Sequence, residues 1–507
     1  MRSLPDPADT PSADESVDEP SAGGSADEPS ARESGDESPA GEALERARGR
    51  SCGPVRERVL EIFLVPLGRR AVDGVLERDL NLALDRRRLL RLVAIGAAGL
   101  AGTAGCTEAR APAAQPADQE TSEPNRRVAE WIRVYDAQGI HRTGTDGDRA
   151  SADWMAAVAR DLGLAPQLEA MQFERLEVRS AFVELPGEEG VERIDGIPLY
   201  DAPPTGPEGV VGELGGFDSA APIGFGPVGP HASSNADYFA SRLTSRQRAH
   251  LAITGGERFG LAPGYSLINA EHWREPVGPP TLQLPSEAAE RIASAVGRQV
   301  RVVVDTTRSA TDVHNVTVSV PGRSLELAPL VVMTPRSGWW QCASERGGGI
   351  ALWLELLTDL ALEPPPRTVH FVASTGHELG HYGLDHFLER RRELIAGAAL
   401  WVHLGANFAA ARGAQLRLQA SDEELAARAR VAMRAAGAPP DVETPPGTRP
   451  FGEARNVFDG GGRFLSLLGR NALFHHPADR WPDAVDLERT AQLARAFRSL
   501  VRSAAEG

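Results

Sequence analysis

From residue 127 onward the apolar positions follow two rhythms that take turns along the chain. Ala129–Val134 is amphipathic at helical spacing, and Ser151–Leu162 puts Trp154, Met155, Val158 and Leu162 on one helical face behind Ser151 as N-cap. Short apolar and β-branched runs at Val178–Leu185, Gln299–Val304, Val316–Val320, Leu330–Met333 and Thr368–Ala373 predict strands, with a helix over Ile350–Leu362 between the last two. Such alternation predicts an α/β fold, a mixed sheet sandwiched by helices. Between 176 and 305 the texture changes to glycine, proline and short strands such as Gly209–Gly212 and Ala249–Thr254, so a β-rich insertion is expected there. The main domain then comprises 127–175 and 306–507.

The first 126 residues show no such periodicity. Residues 1–42 hold almost no large apolar side chains, too few to offset the entropy of ordering, and the stretch up to residue 85 reads as a disordered acidic tail. Residues 107–126 read as a flexible linker. Between them stand Asp85-Arg86-Arg87-Arg88-Leu89-Leu90-Arg91, the apolar run Leu92–Leu100 and Thr103-Ala104-Gly105-Cys106. A basic start, a short apolar core and small residues before a cysteine make 86–106 a lipoprotein export signal of twin-arginine type, with the lipid on Cys106. The apolar run is too short for a membrane span, which needs about 20 residues. A start codon assigned too far upstream, or a genuine cytoplasmic tail, is the expected reason for a signal this late. The expected location is the cell envelope, with the protein lipid-anchored to a membrane after export.

Composition narrows the chemistry. The chain has no lysine, which removes Schiff-base and P-loop mechanisms. Its net charge of −16 remains strongly negative beyond the acidic tail, which argues against nucleic acid as a partner. Of Cys52, Cys106 and Cys342, cleavage before Cys106 leaves one lipid-bearing cysteine and one free thiol, so no internal disulfide is expected.

Seven of the twelve histidines fall between 370 and 476, which singles out that region for metal or acid/base chemistry. Asn315-Val316-Thr317 on a strand ending at Pro321-Gly322, then Leu330–Ser337, Ala343–Ala351, Val369–Gly383 and His475–Asp479 resemble, in order, the motif blocks of the dizinc aminopeptidase, glutamate carboxypeptidase and transferrin receptor family. The resemblance runs over roughly residues 127–500. It implies zinc, a peptide or small amide substrate, and, from Pro279–Leu284 followed by a helix at Ser286–Val296, a protease-associated domain as the insertion. Where the family has a zinc-binding histidine in His-x-Asp-Ser, this chain has Thr334-Pro335-Arg336-Ser337, so a ligand is lost and an acid becomes a cation. Glu345-Arg346 stands at the bridging aspartate, His377-Glu378 at the Glu-Glu pair of catalytic base and ligand, and Gly405 at a further aspartate. His475 and Asp479 keep the terminal His-x-x-x-Asp.

Two outcomes follow from that set. His403 points to the same side of its strand as Gly405 would, so Glu345, Glu378, His403 and His475 can supply one zinc ion, with His377 as general base. Alternatively Arg336 replaces the metal as counter-charge to the facing carboxylates, and the protein is a catalytically inactive binding or scaffold protein. A third reading takes His377-Glu378-Leu379-Gly380-His381 as the His-Glu-x-x-His of single-zinc proteases; it needs a continuous helix, against the strand before it and two glycines costing about 1 kcal/mol each. Trp339 and Trp340 read as packing, His370 as a sheet residue, Cys342 as an inert buried thiol, and Glu453 with Arg455 as a surface pair. His141-Arg142-Thr143-Gly144-Thr145 resembles the family's N-terminal Arg-x-x-Gly stretch, where a structural role is expected.

Overall fold

A computed structural model describes residues 123–188, 190–232 and 235–507. The acidic tail, the export signal and Cys106 lie outside them, while residues 123–126 of the expected linker already belong to the first helix. The strands are β1 (Gln167–Pro186), β2 (Val191–Asp195), β3 (Ile197–Pro198), β4 (Gly206–Gly216), β5 (Ile223–Pro227), β6 (Ala249–Thr254), β7 (Thr281–Pro285), β8 (Gln299–Val320), β9 (Leu330–Pro335), β10 (Val369–Ser374), β11 (Leu400–Leu404), β12 (Gln415–Ala420), β13 (Val442–Glu443) and β14 (Phe464–Arg470). The helices are α1 (Glu123–Ala137), α2 (Asp146–Asp161), α3 (Ala236–Thr244), α4 (Ala289–Ala293), α5 (Gly347–Leu362), α6 (Tyr382–Arg390), α7 (Arg392–Gly397), α8 (Glu423–Ala435), α9 (Ala454–Asp459) and α10 (Leu487–Glu506).

The sheet runs β13-β12-β14-β11-β9-β10-β8 and continues through β4, β5, β6 and β7 to β3. At its centre β10, β9, β11 and β14 are mutually parallel, flanked by antiparallel β8 and β12. Alternation along a central strand decides what covers each face. Leu330 and Val332 of β9 enter one core with α1, α2, α5, α8 and α10, whereas Val331 and Met333 enter another with α6, α7 and α9. The protein is therefore α/β, a mixed sheet with helices on both faces.

Three local readings change. The helix expected from Ser151 starts a turn earlier, at Asp146, because Thr145 is the N-cap and accepts from the Asp148 amide; Ser151 sits inside the helix. The helix expected over Ser286–Val296 shortens to a 3-10 turn at Ser286–Ala288 and α4. The runs expected as separate strands at 299–304 and 316–320 are the ends of the single strand β8. Its polar middle, Asp305–Asn315, stays extended because β1 offers an equally polar partner, with Arg175 opposite Ser309 and Gln172 opposite Asp312. Through β1 and β8 the chain enters and leaves segment 176–305, whose own core is built from Val183, Leu251, Leu282 and Val302.

Helix α5 is buried along nearly its whole length, and Gly349 sets how close it comes to the strands. A Cβ there would stand 2.6 Å from Thr334 Oγ1 and 2.8 Å from the Leu404 carbonyl oxygen. Gly349→Ala should therefore lower stability by about 1–3 kcal/mol, read as a lower urea midpoint. Gly397→Ala, with nothing within 4 Å of the new atom, is the control and should change it by less than about 0.5 kcal/mol.

Candidate functional site

The carboxyl ends of the parallel strands carry the site, the rim where open α/β sheets place their ligands. Strand β10 runs into Thr375-Gly376 and a 3-10 turn at His377–Leu379; Gly376 and Gly380 take left-handed backbone with φ of 75° and 73°. Asn315 clamps the turn, accepting from the Thr375 amide and donating to the Gly383 carbonyl at 2.7 Å. A side chain at Gly383 would collide with Asn315 Oδ1 at 2.4 Å.

Glu378 is fully buried and satisfied by neutral donors. The Thr143 amide and hydroxyl donate to one oxygen and the Ser337 hydroxyl to the other, each at 2.7 Å. Thr143 thus gives the Arg-x-x-Gly stretch a positioning task. Arg336 does not face these acids. Its guanidinium turns to Asp148, at 2.7 Å, and also donates to Ser151 Oγ and to the Asp148 and His314 carbonyls.

The cation at the acids is Arg346. Its Nη2 lies 2.8 Å from Glu345 Oε1 with neither side chain exposed, and its Nε donates to the Ser337 carbonyl at 2.8 Å. The contact to Glu345 is an ion pair of poor hydrogen-bond angle, and Glu345 Oε1, both Arg346 terminal nitrogens and His475 Nε2 make no hydrogen bond. His475 Nε2 stands 3.5 Å from Glu345 Oε1, and its Nδ1 donates to the Leu267 carbonyl at 2.5 Å. Burial, then the charge of Arg346, holds His475 well below the ordinary imidazole range, so it is neutral. Asp479 accepts from the Ser344 amide and hydroxyl and from the Glu345 amide. Burial first, then repulsion from Glu345, pushes it up to about 7.

His403 does fill the space left by Gly405, where a Cβ would meet its Cε1 at 2.7 Å. Both its nitrogens are engaged, with Ser466 Oγ at 2.8 Å and with Glu453 Oε2 at 3.0 Å. Glu453 is not in a surface pair. It is 2% exposed at the start of α9, receives His377 Nδ1 on its other oxygen at 2.8 Å, and Arg455 turns to Glu271 instead. Burial alone would raise Glu453, but the charge and hydrogen bonds of His377 and His403 outweigh it and keep the carboxyl well below its usual range. His377 and His381 stack with centroids 5.2 Å apart, although no continuous helix joins them. The site thus brings Glu345 together with His475, sets Glu378 one serine away, and gathers His377, His381 and His403 around Glu453, an acid expected only in a surface pair.

Segment 264–273, from the insertion, closes over this rim. Its Leu267 carbonyl takes the His475 proton, the Ala270 amide donates to the Glu378 carbonyl at 2.8 Å, and Asn269 Oδ1 accepts from Trp339 Nε1. Trp340 Nε1 donates to the His475 carbonyl, so both tryptophans pack the cover. His370 is bonded to Ser319, and burial pushes the Cys342 thiol well above its ordinary value.

No family model matches the sequence, and no curated protein matches it. Solved structures do match. A peptidase M28 precursor from Shewanella amazonensis SB2B superposes with a TM-score of 0.61 at 15% identity, over 77% of this chain and 95% of its own. BSAP, a zinc aminopeptidase from Bacillus subtilis, gives 0.61 at 16% identity over 75% and 95%. The aminopeptidase from Aneurinibacillus sp. strain AM-1 gives 0.56 at 13% over 75% and 94%. This chain has the zinc aminopeptidase fold. Within that fold the residues present do not fit a two-metal centre. A divalent ion on Glu345 would share that carboxylate with a guanidinium that cannot lose its proton.

Arg346→Leu should leave Glu345 buried without its counter-charge and cost about 3–5 kcal/mol in chemical denaturation, while Arg346→Leu with Glu345→Leu recovers most of the loss. A double variant no more stable than the single one would show that the pair is not the organising contact. His141, beside Thr143 and stacked on Tyr135 at 3.7 Å, is held down to about 3, mainly by burial. Below about pH 6.5 the unfolded chain binds a proton that the folded one refuses, so stability is complete above that pH and falls as pH drops toward 3. Denaturation midpoints between pH 7 and 4 should show a shallower fall in His141→Phe.

Proposed function

We propose that this chain is an exported, lipid-anchored peptidase-fold protein that binds a peptide or small amide and does not hydrolyse it through the two-metal chemistry of its fold. The observation that carries this reading is the fully buried Arg346 guanidinium against Glu345, the carboxylate at the bridging position. Glu378 supports it: a carboxylate holding three neutral donors has no need of a metal. The cover by segment 264–273 supports it too, since Glu345, Glu378, His403 and His475 are each no more than 1% exposed. Anchoring rests on the Arg86–Cys106 signal and places the protein at the envelope.

A ligand has another place to go. Between the insertion and the main sheet lies a crevice of about 430 Å³, bounded by His231, Phe259, Asn407, Arg470, Asn471 and Phe474. It holds no acidic side chain, and Arg470 is its fixed charge, so it suits the carboxylate and carbonyl oxygens of a short peptide.

Zinc-loaded protein should leave a panel of aminoacyl-arylamides uncut, and calorimetry with short peptides should show binding that weakens at least tenfold in Arg470→Ala. Metal-dependent turnover that disappears in Glu378→Ala would overturn the reading in favour of an active peptidase.

A further inference from the structure

Outside the family's metal positions, His377, His381 and Glu453 form a second arrangement of donors. Among the described residues they are the one group of three histidine or acidic side chains whose ligand atoms all lie within 4.8 Å of one another. Their exposures are 9%, 6% and 2%, so the group is dry yet at the margin of the covered rim. His377 matches the family's catalytic-base position, while His381 and Glu453 match none of its ligand positions.

The hydrogen bonds around the group orient it for a cation. Asn456 Oδ1 can only accept, so His381 Nδ1, at 2.9 Å, carries the proton and Nε2 is left as a lone pair. The amide is fixed that way because Asn456 Nδ2 donates to Asp385 Oδ1 at 2.6 Å. Glu453 is steadied through its other oxygen by His403, itself anchored on Ser466. Ligating histidines and carboxylates in metal sites carry such outer partners. His377 Nδ1 and Glu453 Oε1 are 2.8 Å apart, near the roughly 3.3 Å that separates two ligand atoms of tetrahedral zinc with bonds of about 2.0 Å. A tautomer shift of the His377 proton from Nδ1 to Nε2 turns that hydrogen bond into two donors facing one point. The neighbouring cations are already occupied, Arg346 with Glu345 and Arg455 with Glu271.

We propose that His377, His381 and Glu453 bind one divalent transition-metal ion of the zinc class, in a single-ion site that pins the turn after β10 to the start of α9. Two imidazoles and one carboxylate are a borderline N/O set that favours zinc or cobalt over magnesium or calcium. The ion is structural, because Glu378, the acid within the His-Glu-x-x-His pattern, is turned to Thr143 and Ser337. This site goes beyond the functional reading and does not rest on it.

Full-length protein stripped with chelator should bind one zinc per chain in calorimetry, and its thermal midpoint should rise with added zinc. Cobalt(II) on the unmutated protein should give the visible absorption of tetrahedral N/O ligation without a thiolate charge-transfer band. His381→Ala and Glu453→Gln should each weaken binding at least a hundredfold, whereas His475→Ala should leave it unchanged. No bound zinc, an octahedral or thiolate-ligated cobalt spectrum, or binding that survives His381→Ala but not His475→Ala would overturn the assignment.

Discussion

Arg346 and Glu345 meet at 2.8 Å with no exposed side-chain surface on either, and the rim around them is organised by that contact. Taking both charges out of water costs several kcal/mol per ion, so the pair persists only if its surroundings hold it. They do so through the backbone. Arg346 Nε donates to the Ser337 carbonyl, the Ser337 hydroxyl to Glu378, and the Glu345 amide to Asp479. The end of β9, the turn after β10, the start of α5 and the loop at His475 are tied to one another in this way. Without the guanidinium, Glu345 would stand in a dry space beside Asp479 with no positive partner of its own. Arg346 is the cation that stands against Glu345.

The cover follows from the same arrangement. A carboxylate neutralised from within by Arg346 needs no access to solvent. Segment 264–273 lies on it through ordinary backbone hydrogen bonds, with the Leu267 carbonyl taking the one proton of His475. That bond fixes the His475 tautomer and leaves Nε2 facing Glu345 Oε1, two acceptors 3.5 Å apart. Only a nearby cation makes this tolerable, and Arg346 is that cation.

Much of this was legible in the sequence, for identifiable reasons. Strands β9, β10 and β6 announced themselves because they are short and almost wholly buried on both faces, with a single histidine interrupting the apolar run of β10 and of β6. The middle of β8 did not, since Asp305–Asp312 is polar and no more than half-buried, and is ordered by pairing with β1, a contact more than a hundred residues away. Block order fixed the fold and brought Glu345 and His475 together correctly. Spacing along a strand placed His403 on the side of Gly405. The expectation that Arg336 faces the acids fails, and Arg346 does so instead. Arg336 is longer than the residue it replaces and reaches past the rim to Asp148 on α2, whereas Arg346, next to Glu345, folds back into it. Glu453 was legible only as half of a surface pair because its stretch carries no periodicity, and only the tertiary fold sets it against His403.

The backbone gives a reason to regard this remodelled rim as more than a decayed active site. Among the described residues, the non-glycine residues with left-handed φ are Cys342, His381, Asn407 and His475, at 55°, 66°, 68° and 55°. Each such residue costs of order 1 kcal/mol or more and persists only where its neighbours over-determine it. All four belong to the loops that carry Glu345, the His377–His381 turn, the crevice floor and His475. The backbone strain is thus concentrated at this rim and not in the hydrophobic cores on either side of the sheet. The strain at His381 does definite work on geometry: with Gly380 also left-handed, it breaks the helix that a His-Glu-x-x-His pattern would otherwise form. It lays the two imidazoles together while Glu378 stays in the core. The same five residues that spell a protease motif thus build, through two backbone angles, a place where the histidines and the acid serve different ends.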